Sequence, residues 1–372
     1  MTSITPPELH GLLAIAREEG LDMKPVLLRV LTDLYIAVPA HSSDEVAQFR
    51  EIAGTLAAQV DTETAMVVAC KLAGYAHTPH EVGEAILDRG DDSSRILLAD
   101  ARWISASTLI TQAAVGDRMM AAAVAARAHL DPDLVRLLLD RHDPLIDVTL
   151  AANTALVLPT DVRDALLERA RDEEALAVAM LARTDLTGAD RSVLFLAADR
   201  ETRARIIDDA ERLAGLSARP RAPRIASEDL VASLETAALY DDGQSFAQIL
   251  SLALGAAPDK ARRLLADRSG EALALALVAL GVPEETSARI FMFRDPLIGH
   301  STERVRALVD LTRRISPGAA ERLVVAMLGG GRAQPRSGSH VPGAAPADHV
   351  RRHASTQQAA AAPGAPAQRR VV

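Results

Sequence analysis

The sequence predicts an all-α protein, an α-solenoid of short two-helix, HEAT-like repeats, on three observations. Aromatic residues make up only 2% of a chain that is 49% hydrophobic. Its core is therefore Ala, Leu and Val, small side chains that favour close-packed helices. Helix-start signals recur along the chain, as Ser, Thr or Asp followed by Pro or, three positions on, by Glu. Two sets of these signals also share one period. First-helix starts fall near Thr78, Ser105, Pro132, Pro159 and Gly188. Acidic breaks between paired helices fall at Asp91, Asp117, Asp143, Asp172 and Asp199, separated by 26, 26, 29 and 27 residues. Two helices in so short a period make a compact repeat unit, which must bury its apolar stripe against its neighbours.

In chain order, Thr5-Pro6-Pro7-Glu8 is a capping box that opens a helix running to about Glu19. Lys24–Ala37 is a second helix, with Val26, Leu27, Val30, Leu31 and Leu34 on its apolar side and Pro39 beyond its end. Ser42-Ser43-Asp44-Glu45 opens a third helix through Val60, and Glu63–Ala73 is a fourth, ending near Gly74. This N-terminal region, 1–77, has no visible repeat spacing. Repeats follow over 78–213, beginning with the capping box Thr78-Pro79-His80-Glu81. Asp131–Asn153 is their clearest copy: Asp131-Pro132 and Asp143-Pro144 each start a helix, and Asn153 is placed for a left-handed C-terminal cap. Pro220 and Pro223 mark a linker over 214–226. A second helical block occupies 227–328, with helices over Ser227–Leu239, Ser245–Leu254, Pro258–Ala266, Gly270–Leu280, Pro283–Phe293, Ser301–Ile315 and Pro317–Leu328. Asp295-Pro296-Leu297-Ile298 there repeats Asp143-Pro144-Leu145-Ile146. Residues 329–372 are Gly, Pro, Ala, Gln and Arg with few large apolar groups, a composition that predicts disorder.

Net charge is −9, but the 329–372 tail carries six Arg and one Asp, so the body before it stands near −14. An acidic body argues against a nucleic-acid groove along it and leaves only the tail for an anionic partner. A single cysteine, Cys70, rules out an internal disulfide framework. Residues 1–20 lack the plan of a signal peptide, and the most apolar segments are well short of a membrane span. A cytoplasmic protein is expected.

The segment Glu271–Val325, EALALALVALGVPEETSARIFMFRDPLIGHSTERVRALVDLTRRISPGAAERLVV, resembles the C-terminal signature of the uncharacterised bacterial family DUF2336. Leu27–Ala37, LLRVLTDLYIA, and the helix from Asp44 resemble that family's opening. The resemblance covers about residues 20–328. Phe293-Arg294-Asp295-Pro296 stands where the family tends to Leu-Leu-Asn-Pro, and Asp and Asn both cap helices. The resemblance implies a single fold and no particular activity.

Candidate chemistry is thin. His77 and His80 with Cys70 have a spacing unlike common zinc sites, and His80 and Glu81 serve the capping box. Cys70, on an Ala- and Val-rich helix, is expected to be a small buried hydrophobe. Gly329-Gly330-Gly331 follows a helix and lacks the Lys-Ser/Thr of a phosphate loop. Ser269 and Glu271 suit a helix start. Neither a metal nor a cofactor is expected. The sharpest polar feature is a set of arginines near helix ends: Arg89, Arg141, Arg169, Arg200, Arg268 and Arg294. One reading has them satisfying terminal carbonyls and the negative end of the helix dipole. The other makes them a ladder along one edge that grips carboxylates or phosphates on a partner. Trp103 sits at a repeat joint, either wedged between units or exposed as an anchor. The leading functional expectation is a non-enzymatic scaffold or adaptor for a protein or peptide. The alternatives are a regulator whose basic tail contacts nucleic acid or another anionic surface, and an enzyme with a site between the repeat array and the C-terminal block that involves Arg294, His300 and Glu303.

Overall fold

A computed structural model of the chain describes residues 22–216, 224–240 and 243–329. The expected helix at Thr5–Glu19, most of the expected linker and nearly all of the basic tail lie outside these residues. Among them there are only helices and turns, with no β-strand.

Twelve helices form the first part: α1 (Lys24–Ala37), α2 (Ser43–Ala57), α3 (Thr62–Ala73), α4 (His80–Leu87), α5 (Asp92–Asp100), α6 (Ala106–Val115), α7 (Arg118–Ala125), α8 (Pro132–Leu139), α9 (Pro144–Ala152), α10 (Thr160–Arg169), α11 (Glu174–Leu181) and α12 (Gly188–Val193). They stack in two rows. In the odd row α1, α3, α5, α7, α9 and α11 each pack on the next; in the even row α2 packs on α4, and α6, α8, α10 and α12 pack in succession. Consecutive helices cross between the rows. The two rows therefore begin before Thr78, and one continuous core runs from Leu28 to Leu194 through both the N-terminal helices and the repeats.

The start signals work as local chemistry requires. Ser42 and Glu45 form a reciprocal capping box. Asp91, Asp117, Asp131, Asp143 and Asp199 each accept a first-turn N–H. At the fourth break the cap position is Glu173, one residue past Asp172. Thr78 departs from expectation. Pro79 takes the N-cap position, and the Thr78 hydroxyl donates instead to the Leu72 and Tyr75 carbonyls. Asn153 is not left-handed (φ −75°). His142 is, at φ 51°, in the place that Gly90 occupies one repeat pair earlier. Cys70 is exposed, which corrects the expectation of burial. On α3 the core takes Ala65, Val68, Ala69 and Leu72, and Cys70 lies one helical step past that stripe.

The second part comprises a short 3₁₀ turn (Phe195–Ala197), α13 (Arg200–Gly215), α14 (Glu228–Leu239), α15 (Gly243–Leu254), α16 (Pro258–Leu265), α17 (Glu271–Leu280), α18 (Glu284–Arg294), α19 (Pro296–Gly299), α20 (Thr302–Arg314) and α21 (Pro317–Met327). α17 is apolar all round and eight of its residues are buried, so it is the post on which α15, α16, α20 and α21 rest. Asp143 and Asp295 cap identically, on Leu145 N (2.8 Å) and Leu297 N (2.9 Å), but Gly299 stops α19 after one turn. A second core runs from Phe195 to Leu328, and Leu181 touches both cores. At this handover Arg203 is buried. Its guanidinium donates to the Leu196 and Ala198 carbonyls, Asp267, Ser269 and Glu271, and it lies 5.0 Å from the Phe195 ring centre. Ser269 Oγ and Asp267 in turn accept the first-turn N–H groups of Glu271 and Ala272.

Trp103 is half-buried in a joint of the stack. Its Nε1 donates to Leu72 O at 3.0 Å, and its ring lies against Gly83, where a Cβ would come within 2.2 Å of Cη2. Ala for Gly inside a helix ordinarily gains about 1 kcal/mol. Here overpacking reverses the sign, and Gly83→Ala is expected to lose about 1–2 kcal/mol in urea titration. In a Trp103→Ala background the same change is expected to be neutral or stabilising, a double-mutant coupling that tests the wedge directly.

Candidate functional site

A helix leaves its last four carbonyls without internal partners, and a buried helix end must find donors elsewhere. In this protein the donors come from the next unit of the same row. In the even row Arg89, just past α4, donates from Nη1 to Ala57 O (2.8 Å) and Val60 O (3.0 Å) at the end of α2. Arg141, just past α8, reaches Ala113 O (3.0 Å) and Gly116 O (2.8 Å) at the end of α6. Arg169, the last residue of α10, reaches Leu139 O (3.0 Å) and both oxygens of Asp147 (2.9 and 2.8 Å), while its Nη2 meets His142 Nδ1 at 2.8 Å. Burial pushes the Asp147 carboxyl up despite that guanidinium.

The odd row has its own series. Trp103 caps α3. Arg127 donates to Leu98 O (2.6 Å) and Ala101 O (2.8 Å) at the end of α5. The Asn153 amide donates to Ala125 O (3.0 Å) and Arg127 O (2.7 Å) at the end of α7. Arg183, only 2% exposed, donates to Ala151 O (3.2 Å), Asn153 O (2.8 Å) and Leu156 O (2.7 Å) at the end of α9, and holds Asp185 at 2.7 Å. Arg127, Asn153 and Arg183 were absent from the sequence-derived set. Their signal lay in the spacing, since they recur 26 and 30 residues apart just past or at odd-row helix ends.

Of the six arginines singled out by sequence, Arg89, Arg141 and Arg169 are thus engaged inside the stack, capping the neighbour's helix in place of their own. Arg200 is not at the C-terminal end of a helix. It is the first residue of α13, just past the Asp199 cap, and is exposed. Arg268 is exposed in the turn between α16 and α17. Arg294 ends α18, half-buried, with its guanidinium 5.5 Å from the Phe246 ring centre and its Nε buried without a hydrogen-bond partner. Three of the six thus lie in the even row of the first part and three in the second part of the chain. His300 caps α19 and is exposed, as is Glu303. Among the described residues no group of three His, Cys, Asp or Glu is placed to hold a metal ion, and no helix is long and apolar enough to cross a membrane.

A different surface offers room for a ligand. α14 and α15 form a hairpin, and between them runs a cavity of about 440 Å³ lined by Ala232, Ser233, Thr236, Ala237, Tyr240, Ser245 and Ile249. Its floor is small and hydroxylated, α15 carries no charged residue, and Glu235 on α14 is turned away into a pair with Arg289. Of its lining residues Tyr240 is 76% exposed, and elsewhere on or beside the same two helices Leu239 is 58% and Leu252 83% exposed.

Paired helices whose side chains cap one another across units place the described residues in the all-α class of protein. Within that class the chain belongs to a family described as an uncharacterised protein conserved in bacteria (DUF2336), which matches residues 94–325. No curated protein and no solved structure matches the chain.

The caps carry two expectations. Arg183→Met strips donors from three carbonyls and is expected to lose about 3–5 kcal/mol in chemical denaturation, against under about 0.5 kcal/mol for exposed Arg200→Ala. Asp91 caps α5 and binds Arg89. Burial works to raise its carboxyl, but hydrogen bonds from Ser93, Arg89 and Thr62 outweigh that and hold it lowered, to about 2. A carboxyl so depressed stabilises the fold above its unfolded value near 3.8, and the contribution is lost as pH falls through about 2. Stability is therefore expected to drop by up to about 2 kcal/mol between pH 5 and pH 2 on this group's account. The Asp91→Asn protein should lack that portion of the pH dependence, as thermal melts across the range would reveal.

Proposed function

We propose that this protein is a non-enzymatic cytoplasmic adaptor that holds a protein or peptide partner in the groove between α14 and α15. The observation that carries this reading is the pairing of a trough of about 440 Å³ lined without charge with the exposed Tyr240 in its wall and the exposed Leu239 and Leu252 on the same two helices. Peptide-binding grooves on helical surfaces use this combination, with a partner's apolar anchors entering between two helices. The arginine chemistry supports the same choice by elimination. A carboxylate- or phosphate-gripping ladder needs free guanidinium groups, and Arg89, Arg141 and Arg169 already donate to their own chain. The cytoplasmic setting rests on the single cysteine and on the lack of an apolar helix of membrane-spanning length among the described residues.

Thr236→Arg tests the reading, because Thr236 is an exposed residue of the trough and a long cation there fills it without touching the core. The full chain bearing this change is expected to melt within about 2 °C of the wild type and to lose proteins that the wild type retains from lysate of its own bacterium. Arg200→Ala should retain them. Identical retention by wild type and Thr236→Arg would remove the groove as the partner site.

A further inference from the structure

α1 is apolar on two sides. Leu28, Leu31, Thr32 and Tyr35 form its buried side, where it packs on α2 and α3. At about 100° per residue, Met23, Val26, Leu27, Val30 and Leu34 fall on the other side. Val26 is 48% exposed and Leu34 39%, and Val38, just past the helix end, is 44% exposed. Lys24, Arg29 and Asp33 stand off this second stripe, and the last two are engaged with Thr64 and Lys71 of α3. The terminal unit of a repeat array needs a polar outer face, and α1 turns an apolar one outward.

The order of the rows says what covers it. Along the array an even-row helix precedes its odd-row partner and packs on it: α4 on α5, α6 on α7, α8 on α9 and α10 on α11. Among the described residues α1 is the one odd-row helix with no even-row helix before it. The sequence just ahead of α1 has the makings of that partner. Thr5-Pro6-Pro7-Glu8 is a start signal, Gly20 a stop, and Leu9, Leu12, Leu13 and Ala16 make an apolar stripe at i, i+3, i+4 and i+7. Residues 20–23 leave four residues for the connection to Lys24, a length at which two helices return antiparallel on each other.

We propose that residues 5–19 of this chain dock as a helix on the second stripe of α1, antiparallel to it, as the even-row member that closes the start of the array. The pairing sets Ala16 opposite Leu27, Leu13 opposite Val30 and Leu9 opposite Leu34. Gly11, Ala14 and Glu18, opposite the segment's own stripe, become the outer face. A second copy or a foreign peptide would have to displace a segment tethered so closely that its effective concentration is on the order of millimolar.

Hydrogen–deuterium exchange on the full chain tests the proposal. Amides of residues 9–19 are expected to exchange at least about tenfold more slowly than an unstructured chain. Leu34→Asp puts a charge on the stripe without entering the buried side, and should return those amides to the unstructured rate while α4 to α11 keep their protection. Val157→Asp, at a valine 83% exposed elsewhere in the array, should leave them protected. Leu9→Asp/Leu13→Asp alters the segment alone and should release it as Leu34→Asp does; if Leu34→Asp also opens α4 to α11, this second variant decides. Unprotected amides in the wild type, or protection that the deciding variant leaves intact, would overturn the proposal. So would protection that disappears on dilution together with a dimer-to-monomer change in light scattering, since a second copy would then be the occupant.

Discussion

The stack depends on how the carbonyls at the ends of very short helices are satisfied. Helices α4 to α11 are only eight to ten residues long, so the four end carbonyls of each are nearly half its acceptors. Neighbouring units bury these ends, and an unmet acceptor there costs more than a typical hydrogen bond contributes. The chain meets the need with long planar donors from the following unit, 25 to 32 residues later, aimed at the negative end of the helix dipole. Each cap is therefore a tertiary contact. A helix end is complete only when the next unit is in place, which couples neighbours pairwise as repeat arrays require.

The same chemistry closes the joint between the two parts of the chain. Arg171 donates to Met327 O at the end of α21 (2.9 Å), and Arg263 of α16 returns a bond to Arg171 O at the end of α10. Arg203 completes the exchange with three neighbouring polar side chains and two carbonyls. Most of the chain's arginine chemistry described above is thus internal. What the surface retains for a partner is the reverse of a charged ladder, a trough lined without charge.

Helix placement was legible because its signals are local. Lys24–Ala37 and the Asp-Pro starts at Asp131 and Asp143 depend on residues within one turn, and they stand where the sequence puts them. What failed depends on facing or on distant partners. Cys70 sits on an apolar helix yet one step off its buried stripe, a difference of about 100° that composition does not report. Asn153 was read as a backbone cap for its own helix, and its side chain caps another helix 28 residues away. Arg200 has the neighbours of a rung but lies on the far side of its acidic cap. The α14–α15 groove left no motif, because small residues at helical spacing read as ordinary helix packing until the two walls are brought together.

One rung is missing, and the reason shows what the rungs do. In the even row the position that is Arg89 after α4 and Arg141 after α8 is Val115, the last residue of α6, a side chain 79% exposed. An arginine there would have capped α4. The Ile86 carbonyl at the end of α4 is instead met from α5, by the buried Ser94 hydroxyl at 2.7 Å. At the same joint the Trp103 ring lies against Gly83. Where an indole fills the joint, a serine from the other row meets the Ile86 carbonyl. Continuity at this point is carried by the odd row, where α3, α5 and α7 pack in unbroken succession under Trp103, Arg127 and Asn153. The odd row thus carries the packing past the one joint of the even row at which an indole and a serine stand in for an arginine cap.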